Sequence, residues 1–168
     1  MPNNRLYFTT GLPYSGKTTL TRKLVERFGW EVASVDTIME RENMWREGHP
    51  TQDDWNQAYS EAYETIKTKL KAGKNVIFDC GNLPFKERQT ARDIAESLGV
   101  EAKLIYIKVD EEELKRRRAK NAITKERGQL NDEEMELAWK LWDEVKEGEK
   151  PIIYTGNEDM ETWIKENL

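Results

Sequence analysis

Gly11, Gly16, Lys17 and Thr18 stand at the spacing G-x-x-x-x-G-K-[ST] in the octapeptide GLPYSGKT. Two glycines, an ammonium and a hydroxyl in that order suit the holding of a chain of phosphates. The glycines let successive backbone N–H groups converge on an anion with no side chain in the way. A helix opening near Lys17 adds free donors and roughly half a positive charge at its N-terminus. Lys17 is expected to reach the terminal phosphates of a nucleoside triphosphate, and Thr18 to offer its hydroxyl to Mg²⁺. Tyr14, Ser15 and Thr19 complete the expected cradle.

Carboxylates come next. Asp79 closes the run VIFD, a form suited to holding Mg²⁺ directly or through water; a plain turn-forming aspartate is the alternative. The residue after it is Cys80, where a motor-type ATPase would carry a glutamate to activate water. Neither N-K-x-D nor D-x-x-G occurs, which speaks against a GTPase and makes ATP the better expectation. Asp36, in SVDT, is placed to accept the proton of an attacking hydroxyl. It could also cap a helix starting at Thr37, and the two roles are compatible.

Arginines complete the set. The stretch DEEELKRRRAK pairs Glu111 with Lys115, Glu112 with Arg116 and Glu113 with Arg117 at a spacing of four. These three cations are therefore expected on a solvated, salt-bridged face. Arg118 has Leu114 four residues before it and is left without a local partner; Arg127, in KERGQ, is the next free one. An arginine delivered to the γ-phosphoryl oxygens contributes about 10³–10⁵ in rate, so a mobile segment carrying Arg118 and Arg127 over 111–130 reads as a lid.

Five strand-like runs must position these groups: Arg5–Thr9, Glu31–Asp36, Asn75–Cys80, Ala102–Val109 and Pro151–Thr155. Helical spacing fills the intervals, over Thr18–Phe28, 53–71, the stretch before Gly99, and 132–146 with Asn131 and Glu134 as a capping pair. Alternating strands and helices imply a parallel sheet covered on both faces, with ligands beyond the carboxyl ends of the strands. The chain of 168 residues reads as one domain. Its net charge of -5 and 35% charged residues argue against a large nucleic-acid footprint without excluding a small one. Cys80 is the only cysteine, which excludes an intramolecular disulfide and fits a reducing cytoplasm; its run marks it as a core residue. No apolar stretch is long enough for a membrane span, and no signal-peptide pattern opens the chain.

GLPYSGKTTL, SVD, FDCGNLPFKER, LKRRRAKN and ERG together resemble the small P-loop kinases, the group of zeta-toxin kinases, chloramphenicol phosphotransferase and the 5′-hydroxyl polynucleotide kinase domain. The resemblance covers about residues 5–157. It implies a three-layer α/β/α sandwich with a five-stranded parallel sheet of nucleoside-kinase type and a helical lid. It further implies ATP and Mg²⁺ at Lys17 and Thr18, Asp36 as general base, and Arg118 and Arg127 as lid arginines. The D-x-x-N-x-x-x-x-x-R form from Asp79 through Asn82 to Arg88 matches moderately; Arg88 then steadies a phosphate or the acceptor, or else is a surface helix residue. Gly156, between Thr155 and Asn157, would pass beside the adenine. Polynucleotide kinases of this type carry an arginine where Met39 stands here, and the nearest one is Arg41. A small-molecule or nucleotide-like acceptor is therefore expected, with Trp45 and His49 of the 37–63 segment as contact candidates. Oligomeric state is not legible. Trp55, Trp139 and Trp142 follow helical spacing and are expected in the core, whereas Trp30 and Trp163 have no evident place.

Overall fold

Leu6-Tyr7-Phe8 and Val76-Ile77-Phe78 are apolar without alternation because both faces of their strands are covered. The computed structural model describes residues 3–45 and 50–168. Among these, five strands appear in the expected places: β1 Arg5–Thr10, β2 Glu31–Ser34, β3 Val76–Asp79, β4 Glu101–Ile107 and β5 Ile152–Tyr154. Every pairing is parallel and the order is β2-β3-β1-β4-β5. The central strand β1 lies between β3, reading Leu6 against Val76, and β4, reading Leu6 against Ala102. The helices are α1 Lys17–Phe28, α2 Val35–Arg41, α3 Gln52–Lys71, α4 Phe85–Ser97, α5 Glu111–Thr124, α6 Asp132–Leu141 and α7 Met160–Asn167.

The pleat of β1 sorts the core into two layers. Leu6 and Phe8 pack with Ile66 and Leu70 of α3 and Ala91 and Ile94 of α4. Tyr7 faces the other way, with Leu20 and Leu24 of α1 and Trp163 and Ile164 of α7. Each leucine, isoleucine or phenylalanine so buried contributes about 1.5–3 kcal/mol. Trp30 stacks on Tyr7 at 4.1 Å, and the Trp163 indole N–H donates to the Ile153 carbonyl at 2.8 Å, which places the two tryptophans the sequence could not. Among the described residues, no helix is long and apolar enough to cross a membrane.

Two boundaries and one burial near the site differ from the sequence reading. β2 stops at Ser34, whose hydroxyl accepts from the Thr37 N–H at 3.3 Å and caps α2. Asp36 therefore lies in the first helical turn, neither ending the strand nor capping the helix. α6 ends at Leu141 because tertiary contacts claim the next two residues: Trp142 lies 5.7 Å from the Tyr106 ring, and Asp143 accepts from the Phe85 N–H at 2.8 Å, capping α4 from outside. Trp139, expected in the core, is 41% exposed beside the groove between α5 and α6.

Arg88 is the largest correction. It is fully buried, and Nε and Nη2 grip both oxygens of Glu149 at 2.8 and 3.0 Å. Its remaining N–H groups donate to the carbonyls of Asn82 at 3.2 Å, Leu83 at 2.7 Å and Asp143 at 3.0 Å. With all donors spent inside the protein, Arg88 has nothing left for an acceptor. Burial opposes ionisation of Glu149, but hydrogen bonds from Arg88 and Arg92 outweigh it and hold its pKa at about 2. Removing one partner of such a pair leaves a buried charge uncompensated, so Glu149→Gln should lower unfolding free energy in urea by about 3–5 kcal/mol at neutral pH. Because the folded pKa lies below the ordinary 4.5, that advantage of native over variant should shrink as pH falls from 4.5 towards 2.

Candidate functional site

The turn between β1 and α1 is shaped by what cannot fit in it. A Cβ on Gly11 would lie 2.8 Å from Ser15 Oγ and 2.9 Å from the Ile107 carbonyl oxygen. Gly16 holds φ +100° and Tyr14 holds φ +68°, so the chain doubles back tightly before α1. The first intrahelical bond runs from the Leu20 N–H to the Gly16 carbonyl, so Lys17, Thr18 and Thr19 present N–H groups without intrahelical acceptors. Lys17 Nζ folds back to donate to the Gly11 carbonyl at 2.7 Å and the Leu12 carbonyl at 3.1 Å. Burial pulls its pKa down to about 8, against the pull of Asp79 and Asp36. A desolvated cation and free amides at a helix N-terminus, on a turn that packs too closely for a side chain at Gly11, together suit a polyanion.

Asp79 ends β3 opposite this turn. Burial raises its pKa, with Lys17 and a hydrogen bond from Thr18 opposing and Asp36 reinforcing. Lys17, Thr18, Asp36 and Asp79 are thus brought within electrostatic reach of one another across the β1, β2 and β3 ends. Among the described residues, no three His, Cys, Asp or Glu side chains gather around one point. Mg²⁺ commonly relies on one or two protein ligands plus substrate phosphates, and Thr18 and Asp79 fit that pattern. Cys80 is half-buried against the Tyr59 hydroxyl at 2.9 Å; burial pushes its thiol up to about 12, leaving it protonated rather than nucleophilic.

The arginines rearrange the expectation. Arg118, read as unpartnered, donates to the Leu130 carbonyl at 2.8 Å and to Asp132 at 2.8 Å, partners 12 and 14 residues away that no local spacing reveals. Arg117, read as part of a solvated face, instead reaches the phosphate turn: Nη1 donates to the carbonyls of Ser15 at 2.9 Å and Tyr14 at 3.3 Å, while Nε keeps Glu113 at 2.7 Å. The signal was present, because Leu114, Arg117 and Asn121 share one helical stripe and its outer two members are buried. Gly156, at φ +78°, lies beside the same guanidinium, with an added Cβ 3.4 Å from Nη2. Arg127 is exposed, 4.6 Å from the Tyr14 ring centroid.

The acceptor-side candidates are not gathered. Asn82 is fully buried, its amide donating to the Thr9 carbonyl at 2.8 Å, so it braces β1 against the β3 end and is not open to an acceptor. Arg41 is exposed and pairs with Glu42 at 2.8 Å and Glu61 at 2.5 Å. Trp45 is 42% exposed, edge-on to Trp55 at 5.8 Å, and His49 lies outside the described residues.

Sheet order and phosphate turn together define a P-loop nucleotide-binding fold. Residues 6–140 match the family described as an AAA domain, and the chain belongs to that family. Its fold is that of the small P-loop kinases. It is similar to a sugar kinase from Janibacter sp. HTCC2649, with TM-score 0.71 at 20% identity, covering 97% of this chain and 91% of that one. A gluconokinase from Sinorhizobium meliloti 1021 gives TM-score 0.68 at 17% identity, covering 100% and 91%. The Mycobacterium tuberculosis APS kinase, solved with AMPPNP and APS, gives TM-score 0.65 at 17% identity, covering 99% and 96%. No curated protein matches the sequence significantly.

The Lys17 environment has a consequence for stability. A lysine whose folded pKa is about 8 against an ordinary 10.5 opposes folding below pH 8, and the opposition fades as pH rises towards 10.5. Lys17→Met should therefore be more stable than the native protein at pH 7 without nucleotide, by up to about 3 kcal/mol. Urea titrations of both proteins should show the gap closing between pH 8 and 10.5.

Proposed function

We propose that the chain is an ATP-dependent kinase that phosphorylates a hydroxyl on a small-molecule or nucleotide-like acceptor. The observation that carries this reading is the apposition of Asp36 and Asp79 to the Lys17–Thr18 turn, a base and a metal-binding acid facing a phosphate cradle. Mg·ATP, once bound, supplies a transferable γ-phosphoryl group with ADP as leaving group. Lys17 leaves the Gly11 and Leu12 carbonyls for the phosphates, gaining a direct ionic contact there. Thr18 and Asp79 would hold the metal, which would neutralise charge on the phosphates. Asp36, exposed at the start of α2, takes the proton of the acceptor hydroxyl. Arg117 and Gly156 border the nucleotide, and Arg127 serves the transferred group from a lid spanning about 111–130 of a single domain. Arg118 acts in that lid as a tie to residues 130–132.

The surroundings of Asp36 disfavour a polynucleotide acceptor: α2 adds Glu40, and Arg41 is neutralised by its own carboxylates. A second reading, a nucleotide-gated binding protein with slow hydrolysis, draws support from exposed apolar side chains on the lid side, namely Ile123, Leu137 and Leu141.

Mass spectrometry of a metabolite and oligonucleotide panel incubated with Mg·ATP separates these readings. One compound gaining a phosphate supports the kinase, whereas release of inorganic phosphate alone supports the switch. Lys17→Ala should abolish Mg·ATP binding in calorimetry, and Asp36→Asn should bind Mg·ATP normally yet lose transfer by at least about 10²-fold. Normal transfer by Asp36→Asn refutes the base assignment. Arg117→Ala should weaken Mg·ADP binding more than Arg118→Ala does; the reverse order refutes the placing of Arg117 at the nucleotide.

A further inference from the structure

Tyr14 is an unusual occupant of a phosphate turn. It sits at φ +68°, a conformation that a bulky residue adopts at a cost, and its side chain is buried. The ring packs into an apolar cluster with Leu12 and Leu114 that Leu130 and Met135 border. Its hydroxyl accepts from the Leu130 N–H at 3.0 Å, and one face of the ring carries the Arg127 guanidinium at 4.6 Å. The backbone of that arginine is fixed separately, by Asn121 Oδ1 accepting from the Arg127 N–H at 3.0 Å and Asn121 Nδ2 donating to its carbonyl at 3.1 Å. Arg127 is close enough to depress both Lys17 and Asp79 electrostatically, so its charge reaches the centre of the site from outside the turn.

Resting on the kinase reading above, we infer that Tyr14 is the positioning residue for Arg127: its ring is the platform that holds the guanidinium beside the phosphate turn, where the third phosphate of a triphosphate lies. The same side chain ties residues 127–130 to the turn through the Leu130 N–H. Bending the turn for phosphates and presenting the arginine are thus one structural act. A ring face suits the task because cation–π attraction fixes the charge while leaving every N–H of the guanidinium free for phosphate oxygens.

The test compares binding of Mg·AMPPNP and Mg·ADP by calorimetry, because only the former carries a third phosphate. Arg127→Ala should reduce the AMPPNP-over-ADP preference about tenfold, and Tyr14→Leu, which keeps apolar bulk without the ring, by nearly as much. Tyr14→Leu combined with Arg127→Ala should lose no more than Arg127→Ala alone. Tyr14→Phe, which gives up only the Leu130 tie, should fall between native and Tyr14→Leu. Equal weakening of both nucleotides in Tyr14→Leu would mean the ring only packs the turn, and additive losses would mean two independent effects; either overturns the inference. Native protein that binds neither nucleotide overturns the kinase reading itself, a result distinct from both.

Discussion

An ammonium group drawn out of water at the end of β1 is the interaction on which the site turns. Lys17 donates to the carbonyls of Gly11 and Leu12, and burial holds its pKa near 8 even with Asp79 and Asp36 within electrostatic reach. That arrangement exists because Gly11 lets the chain pass between Ser15 and Ile107, and because β1 runs centrally in a parallel sheet. The α1 N-terminus and the guanidinium of Arg117 add positive charge to the same few ångströms. Such a collection is costly unless an anion completes it, which makes phosphate affinity a consequence of how the turn is folded.

The parts of this design written locally were legible. Buried parallel strands must be apolar on both faces, so β1 and β3 announced themselves, and the phosphate turn needs particular residues at particular steps. The misread parts depend on distant partners or on one step of helix rotation. Arg88 reads as an ordinary residue of α4 until Glu149, 61 positions later, closes on it. Arg117 and Arg118 are neighbours about 100° apart around α5, and which of them meets the phosphate turn is set by how α5 docks. Asp36 kept its place near the site but changed element, because the Ser34 hydroxyl starts α2 two residues before it.

The two sides of the site are built to different stiffness. Beneath the Asp79 side, the Thr10 hydroxyl donates to the Gly81 and Asn82 carbonyls at 3.1 and 2.9 Å, Asn82 returns a bond to Thr9, and Arg88 fastens Asn82 and Leu83 to Glu149. Thr10, Asn82 and Arg88 are themselves buried, so opening this side exposes charge and unpaired carbonyls together. The 121–132 side rests on contacts of another kind: the exposed Arg127 guanidinium on the Tyr14 ring, one N–H to the tyrosine hydroxyl, and the Arg118 pair with Asp132, whose carboxylate is 95% exposed. Each is worth about 1 kcal/mol or less in water. Local opening follows such differences, so on the kinase reading proposed above this side would be the first to separate, with Asp79 and the turn keeping their spacing. A kinase site of the kind proposed, which would admit a nucleotide and then surround it, calls for that asymmetry, with a firm side to fix where chemistry occurs and a weaker side to govern access.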